Sequence, residues 1–373
     1  MPKIILAPDS FKGTLTARQV CDILSDAVLR RWHEAEVCVI PMADGGEGMT
    51  DAYLRIFGGK AVFKRVCGPN GIPTDAEYAI LPDGTAVLEM AAAAGLPLAS
   101  QPRDILHATT YGVGEMLLDA AAHGAKNILL GLGGSATNDG GIGMASALGF
   151  TFTDRMGQKV SPYAEHLGEI ACIRPPLSLP ELSLKVACDV SSPLTGDLGA
   201  SRVFAPQKGA DEEMVERLEN AMVSYAAVLR SFSGWDVGAV PGAGAAGGLG
   251  AAAVAYLGGR IYPGAELLLE QAGFDDALSD ADLVITGEGK MDGQSLLGKV
   301  PYTVAKHCKA AGVPCVALCG ALGEGWERMK PHGLTTAFAA SDGTKPLDEL
   351  KKTAADDLKT AADDMLSQFP LQS

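Results

Sequence analysis

Short β-branched runs alternate with helical stretches over much of this 373-residue chain. Stretches such as Thr16–Arg31 and Tyr302–Ala311 have the helical pattern, and they lie between runs that end in glycine or acidic residues. Such alternation predicts a doubly wound parallel sheet, in which helices connect successive strands. The runs that we expect to form its strands are Lys3–Pro8, Val37–Pro41, Asp282–Thr286, Pro314–Cys319 and Thr335–Ala339.

The segment Lys60–Met90 has a different pattern. It contains three close-spaced strand-like runs, and Pro82-Asp83-Gly84 joins the last two, which is a hairpin signal. Further strands are expected near Asn127–Leu132 and Leu184–Asp189. A chain of this length is also too long for one typical core. We therefore predict a discontinuous parallel domain of residues 1–60 plus 261–373, interrupted by a mixed α/β domain of residues 61–260.

Composition and charge exclude several classes of protein. Hydrophobic residues make up 47% of the chain and the formal net charge is −15. A sizeable core is therefore possible, while sequence-independent nucleic-acid binding, which needs a basic surface, is disfavoured. Val237–Gly259 lacks charge but contains eight glycines and Pro241, so we expect a buried loop and helix there and no membrane segment.

The eight cysteines form no CxxC pair, and the six histidines show no paired ligand spacing. We expect reduced, mostly buried cysteines in a cytoplasmic protein, with no zinc site. The N-terminal apolar run is too short for the hydrophobic region of a signal peptide.

The segment Ile128–Leu148 is the strongest candidate for a binding site. An apolar run leads into a glycine-rich turn, and an Ala-rich segment follows. A strand, loop and helix of this kind presents backbone N–H groups at a helix N-terminus, where phosphate binds well. The residues that we expect to contribute are Gly133, Gly134, Ser135, Thr137, Asn138 and Asp139.

Four other loops place charged residues beside glycines after predicted strands. In parallel sheets, ligands bind beyond the carboxyl ends of the strands. Carboxylates suit Mg²⁺ and lysines suit phosphate, so the set predicts phosphoryl transfer. Each aspartate is also a common helix N-cap or turn residue, and for Asp9, Asp44 and Asp292 that alternative stays open. The loops contain Asp9, Ser10 and Lys12; Asp44 and Glu47; Asp189, Ser191 and Ser192; and Glu288, Lys290, Asp292 and Lys299.

Two glycine motifs suggest other nucleotide sites but fit them poorly. GAGAAG at residues 242–247 matches the dinucleotide-binding pattern, yet no proper strand precedes it, so close helix packing is the better interpretation. GQSLLGKV at residues 293–300 nearly matches a P-loop, but Val300 replaces the Ser or Thr that would bind Mg²⁺.

Taken together, these loops resemble the glycerate kinase family, which includes the bacterial enzymes of glyoxylate and sugar-acid catabolism. The resemblance extends over essentially the whole chain. It implies a discontinuous flavodoxin-like domain with an inserted mixed α/β domain, a site in the cleft between them, and Mg²⁺- and ATP-dependent phosphorylation of D-glycerate, generally to 2-phosphoglycerate. The matching stretches are APDSFKGTLTA, PMADGGEGM, GLGGSATNDGGIGM, CDVSSPLTG, FAPQKGA, PGAGAAGGLG and ITGEGKMDGQSLLGKVP.

We assign hypothetical roles to these loops on the strength of that resemblance. The Gly133–Gly141 loop binds phosphate or the glycerate carboxylate through backbone N–H groups, helped by Ser135 and Asn138. Asp189 is the candidate base for the substrate hydroxyl, and Lys290 neutralises charge on the transferring phosphoryl group. Glu288 and Asp292 are candidate metal ligands, and the first loop contacts substrate through Asp9 and Lys12. The remaining candidate contacts are Ser10, Asp44, Glu47, Asp139 and Lys299.

Other functions remain open on the sequence alone. The same kinase could form 3-phosphoglycerate. An NAD-dependent dehydrogenase would rest on GAGAAG alone, and a non-catalytic sugar-acid sensor would bind ligand without turnover. We expect small-molecule partners only, with no nucleic acid and no membrane, and either a monomer or a homodimer.

Overall fold

A computed structural model describes residues 1–369 of the chain. The strands are β1 (Lys3–Pro8), β2 (Glu36–Val39), β3 (Lys60–Cys67), β4 (Pro73–Ile80), β5 (Ala86–Glu89), β6 (Asn127–Gly131), β7 (Thr151–Thr153), β8 (Cys172–Arg174), β9 (Ser183–Ala187), β10 (Arg260–Tyr262), β11 (Leu283–Gly287), β12 (Lys290–Met291), β13 (Cys315–Cys319), β14 (Ala321–Leu322) and β15 (Leu334–Ala339).

The helices are α1 (Ala17–Arg31), α2 (Met49–Phe57), α3 (Ala91–Ala94), α4 (Tyr111–Ala122), α5 (Ile142–Ala147), α6 (Ala200–Phe204), α7 (Glu212–Ser233), α8 (Ala245–Leu257), α9 (Gly264–Gln271), α10 (Phe274–Leu278), α11 (Val300–Ala311) and α12 (Leu347–Ser367). None of the helices within residues 1–369 combines the length and the apolar character needed to cross a bilayer.

The chain divides into two units, each with its own core. The parallel unit consists of Met1–Asp44 together with the chain from Ala265 onward, and the mixed unit is Gly45–Gly264. The sequence places the boundaries at 60/61 and 260/261. The first boundary in the structure falls earlier because α2 packs against β4 and β5 of the mixed unit. Glu89, at the end of β5, also accepts the backbone N–H groups of Gly48 and Thr50 at the start of α2.

The parallel unit is built on a five-stranded sheet of order β15-β13-β11-β1-β2. All of its pairings are parallel. Numbered along this unit alone, the order is 2-1-3-4-5, which is the flavodoxin-like arrangement. The fold class expected from the sequence is therefore confirmed. The central strands β1, β11 and β13 are almost fully buried, as both faces of a doubly wound sheet require.

Helix α12 docks on the core of the parallel unit. The sequence predicts an amphipathic helix there from the repeat KTAADDL and KTAADDM. In the structure Leu358, Ala362 and Met365 are fully buried in the same cluster as the strands, while Ala354 and Ala361 pack at its edge. The helical spacing of these apolar residues accounts for the docking face.

The mixed unit is built on a six-stranded sheet of order β10-β9-β6-β5-β4-β3. The β3–β4 and β4–β5 pairs are antiparallel, and the predicted hairpin turn at Pro82-Asp83-Gly84 joins β4 to β5. The remaining pairs are parallel, so β6 and β9 end at the same edge, with Gly131 opposite Ala187. This register determines where the loops that follow β6 and β9 lie.

Candidate active site

The candidate residues fall into two groups, one in each unit. In the mixed unit, the loop Gly133–Gly141 follows β6 and Asp189 follows β9. Gly131 and Ala187 are paired at the ends of these strands, and Gly133 and Asp189 each lie two residues further along the chain. Gly45 and Gly46 pack against the same edge: a Cβ on Gly45 would lie 2.5 Å from the Ala187 carbonyl oxygen. Three of the predicted loops are thus close together in this unit.

The start of the Gly133–Gly141 loop is its accessible part. Gly134 is exposed, and its φ of +75° suits glycine. The N–H of Gly133 donates to the Gly45 carbonyl, whereas the N–H groups of Gly134 and Ser135 have no acceptor among the residues that the structure describes. Adjacent free N–H groups are suited to binding an oxyanion. The predicted anion-binding role therefore centres on Gly134 and Ser135.

The rest of this loop is buried and has structural contacts. Asp139 is fully buried, and its carboxylate accepts hydrogen bonds from the Thr110 N–H and hydroxyl and from the Gly141 and Gly143 N–H groups. Burial raises the pKa of this carboxyl, and the hydrogen bonds oppose that rise. Asn138 is equally buried and donates to the Ser201 hydroxyl. Both side chains therefore help to shape the loop, and the direct ligand contact expected of them stays a prediction.

The Gly133–Gly141 loop also packs against GAGAAG, the glycine motif at residues 242–247. Gly247 has a φ of +66°, and a Cβ there would lie 2.1 Å from the Thr137 carbonyl oxygen. The Gly140 N–H donates to the Gly247 carbonyl. GAGAAG is preceded by a short 3₁₀ helix, Val237–Ala239, and not by a strand. Its geometry supports the interpretation as close packing.

Lys208 is a residue that the sequence analysis did not single out. It lies in FAPQKGA, is only 2% exposed, and donates from Nζ to Ser135 Oγ (2.8 Å) and to the Thr137 carbonyl (2.6 Å). Burial lowers its pKa to about 7, although the negative charge of Asp139 opposes this. The only signal in the sequence was a lysine within a matching stretch.

Asp189, the candidate base, is partly buried at the end of β9. Its Oδ1 accepts a 2.6 Å hydrogen bond from the N–H of Gly264, the first residue of α9. That bond fixes the orientation of the carboxylate, and it also gives Asp189 a capping role. The geometry is compatible with both functions, so the base remains a prediction.

The third predicted loop of the mixed unit contains Glu47, which is exposed. Its neighbour Gly46 lies against the glycine-rich loop, since a Cβ on Gly133 would be 2.4 Å from Gly46 Cα. Glu47 also helps to raise the pKa of the partly buried Glu89, a shift that is caused mainly by desolvation. Glu47 is therefore near the edge that holds Gly133, but no contact assigns it a role.

In the parallel unit, the loops after β1 and β11 lie side by side. Pro8 pairs with Gly287 at the ends of these strands, and the Asp9 N–H donates to the Gly287 carbonyl. Asp9 and Glu288 therefore follow directly from paired positions at the carboxyl edge of the sheet. This is the edge at which ligands of such sheets bind.

Asp9 has a strongly raised pKa of about 7. Burial is the largest cause, and the negative charge of Asp44 adds to it, while the Ser10 N–H and the charge of Lys12 act in the opposite direction. Asp9 is not the cap of α1, because Thr16 has that role and accepts from the Gln19 N–H. The capping alternative for Asp9 is thereby excluded at this helix.

We expect Asp9→Asn to stabilise the protein at pH 8 and to change it little at pH 4. The folded chain keeps the Asp9 proton up to about pH 7, whereas the unfolded chain loses it near pH 4, so stability falls as pH rises between these values. Asparagine stays neutral throughout. Allowing for solvent screening, we expect about 1–2 kcal/mol at pH 8.

Thermal unfolding of wild type and Asp9→Asn at pH 4, 6 and 8 measures this effect. Asp364→Asn, an exposed change on α12, is the matched control and should shift the midpoint at no pH. Equal midpoints for Asp9→Asn and wild type at pH 8 would show that the raised pKa is absent.

Glu288 and Asp292, the candidate metal ligands, already have partners. Glu288 accepts from the Ser295 hydroxyl, and its other oxygen lies 3.3 Å from Lys299 Nζ. Burial raises the pKa of Glu288 in spite of these contacts. Asp292 caps the 3₁₀ helix Gly293–Leu297 by accepting from the Gln294 N–H. The sequence left open whether Asp292 caps a helix, and in the structure it does so.

No group of three or more His, Cys, Asp or Glu side chains within residues 1–369 is arranged to hold a metal ion. Lys12, in the turn after β1, and Lys290, on β12, are both exposed. A Cβ on Gly323 would lie 3.2 Å from Lys290 Cε, so glycine there leaves room for this side chain. Ser10 is partly buried beside Asp9.

The sequence and the fold match known proteins over almost their full lengths. A profile of the Glycerate kinase family matches residues 4–369. A glycerate kinase of Halalkalibacterium halodurans is 41% identical over 97% of both chains, and a glycerate 2-kinase of Escherichia coli (strain K12) is 40% identical over 96% of both. A crystal structure of a Salmonella typhimurium LT2 protein assigned as glycerate kinase 2 superposes with a TM-score of 0.86, at 37% identity and 98% coverage of both chains.

The fold and these matches define an α/β phosphotransferase. The chain belongs to the glycerate kinase family.

Proposed function

We propose that this protein phosphorylates D-glycerate with ATP and releases 2-phosphoglycerate and ADP. The observation that carries the proposal is the family match over residues 4–369, which includes every loop with a candidate residue. The 2-phospho product is supported by the name of the Escherichia coli relative, a glycerate 2-kinase, which is 40% identical. The same kinase forming 3-phosphoglycerate is the alternative.

The proposed reaction is an in-line displacement at the γ-phosphorus of ATP. The substrate hydroxyl oxygen forms the new P–O bond, the bond to the β-phosphate oxygen breaks, and the hydroxyl proton passes to Asp189. In such transfers, positioning and charge neutralisation supply most of the catalysis. We assign the charge-neutralising role to Lys290 and oxyanion binding to Gly134 and Ser135. Asp9, Lys12 and Lys299 are the proposed contacts in the parallel unit.

We propose that Mg²⁺ enters as the MgATP complex. Magnesium in such enzymes is generally held by one or two carboxylates together with substrate phosphates. Glu288 and Asp292 would have to exchange their present partners, Ser295, Lys299 and the Gln294 N–H, to coordinate it. The two carboxylates therefore do not form a ready site for a resident metal, and none of the steps above depends on one.

A coupled assay of ADP release tests the proposal. We expect turnover that requires both D-glycerate and ATP, and a product whose NMR spectrum shows phosphorus coupled to the proton on C2. Coupling to the C3 protons would establish the 3-phospho alternative. A chain that binds both compounds without releasing ADP would instead be a sensor, and the kinase proposal would be wrong.

The dehydrogenase alternative has no support in the geometry. Gly247 of GAGAAG packs closely against Thr137 and accepts the Gly140 N–H, and Gly244 packs closely against the Pro193 carbonyl. The motif is preceded by a 3₁₀ helix and not by a strand. A dinucleotide-binding turn needs both a preceding strand and an open helix N-terminus.

We also propose that the protein functions in the cytoplasm. None of the eight cysteines, all within residues 1–369, forms a disulfide, and Cys21, Cys188, Cys308, Cys315 and Cys319 are buried. Buried free cysteines behave as small hydrophobic residues and suit a reducing compartment.

A further inference from the structure

The Lys208 ammonium is buried without a carboxylate partner. Lysine is almost never fully buried unless it is paired. Within residues 1–369, no carboxylate forms an ion pair with Nζ, whose two hydrogen-bond partners are the neutral Ser135 hydroxyl and the Thr137 carbonyl. The negative charge of Asp139 acts on Lys208, but the Asp139 oxygens already accept four hydrogen bonds from other groups. An apolar side chain would fill this space without the cost of burying a charge, so the ammonium calls for an explanation other than packing.

The hydrogen bond from Lys208 determines whether the Ser135 hydroxyl acts as a donor or as an acceptor toward other groups. Ser135 Oγ accepts from Lys208 Nζ at 2.8 Å, and in its protonated form this lysine has donors only. The Ser135 O–H is then directed to a different acceptor, and none of the described residues supplies one. Ser135 is 8% exposed and follows the exposed Gly134. Its hydroxyl can therefore donate to a ligand at the same place as the Gly134 and Ser135 N–H groups.

We propose that Lys208 is a positioning residue for substrate binding, which fixes the Ser135 hydroxyl as a donor to an oxyanion of the substrate held at Gly134 and Ser135. In its protonated form, Lys208 places a positive charge 2.8 Å behind the hydroxyl, which strengthens the donation of that hydroxyl to an anion. The oxyanion is the carboxylate of glycerate or a phosphate of ATP. This inference rests on the proposed function and assigns a role to a side chain that does not itself face the ligand.

The test compares Lys208→Met, Ser135→Ala and the double variant in the ADP-release assay. Methionine fills a similar space without the charge. We expect Lys208→Met to raise the KM of one substrate about 10- to 100-fold, as for a hydrogen bond to a charged group, with kcat changed less than about threefold. A raised KM for D-glycerate identifies the carboxylate, and a raised KM for ATP identifies the phosphate.

The double variant separates positioning from a general structural effect. Because Lys208 acts through Ser135, the double variant should be no worse than the more damaging single variant, whereas independent effects multiply. Lys159→Met, an exposed change in the same unit, is the matched control and should alter neither KM. Thermal melts establish that each variant is folded.

Several outcomes would overturn the inference. Unchanged KM values in folded Lys208→Met, multiplicative effects in the double variant, or a loss confined to kcat would each do so. If Lys208→Met does not fold, Ser135→Ala decides: unchanged KM values in that variant refute the role. A wild-type chain with no turnover removes the proposed function, and the inference with it, whereas an active wild type with unaffected variants removes the inference alone.

Discussion

Replacing Asp189 with asparagine is expected to lower kcat by about 10²- to 10⁴-fold, the usual contribution of a general base. Asparagine has nearly the same shape, and its amide oxygen can still accept the Gly264 N–H, which Asp189 Oδ1 accepts at 2.6 Å. The substitution therefore removes the basic oxygen and keeps the cap of α9. A loss of turnover with an unchanged melting temperature would assign the proton transfer to Asp189.

The pH profile and a second variant complete this test. If the Asp189 carboxylate takes the proton, the pH dependence of kcat in the residual activity of Asp189→Asn should differ from that of wild type. Asp189→Ala also removes the cap, so it should lower the melting temperature as well. If Asp189→Asn turns over like wild type across pH, Asp189 is only an anchor for Gly264, and the base must be sought elsewhere.

The sequence predicts those parts of the fold that are encoded by short local patterns, such as strands and turns. The β-branched runs at Lys3–Pro8 and Thr335–Ala339 became β1 and β15, and the hairpin at Pro82-Asp83-Gly84 joins β4 and β5 as expected. The position of the first boundary depends on a contact between residues far apart in the chain, since Glu89 caps α2. No local pattern encodes such a contact.

Residue type alone does not tell whether a polar side chain faces a ligand or the interior. Asp139 and Ser135 are four residues apart in the same loop, yet Asp139 is fully buried with four donors, while Ser135 is 8% exposed and follows the exposed Gly134. Burial also distinguishes Lys208 from the exposed lysines. The sequence predicts which loop carries the binding site, but the orientation of each side chain in it follows from tertiary packing.

Replacing Lys290 with alanine is expected to lower kcat/KM for both ATP and D-glycerate roughly 100-fold or more, by analogy with other groups that stabilise developing charge. Lys290 is exposed on the two-residue strand β12, and no ion pair to it is formed within residues 1–369. Its removal should therefore leave the melting temperature unchanged, since most surface substitutions cost little stability. A large kinetic effect without a stability effect would show that the charge serves the reaction.

Lys290→Arg and Lys352→Ala distinguish a specific role for Lys290 from a general effect of surface charge. Arginine keeps the charge but changes the shape of the head group, so Lys290→Arg should retain more activity than Lys290→Ala and less than wild type. Lys352 is an exposed lysine on α12, and its loss changes the net charge by the same amount. If Lys352→Ala reduces kcat/KM as much as Lys290→Ala, the effect is one of overall charge. If Lys290→Ala stays within a few-fold of wild type, Lys290 does not neutralise the transferring phosphoryl group, and Lys12 and Lys299 are the next lysines of the parallel unit to replace.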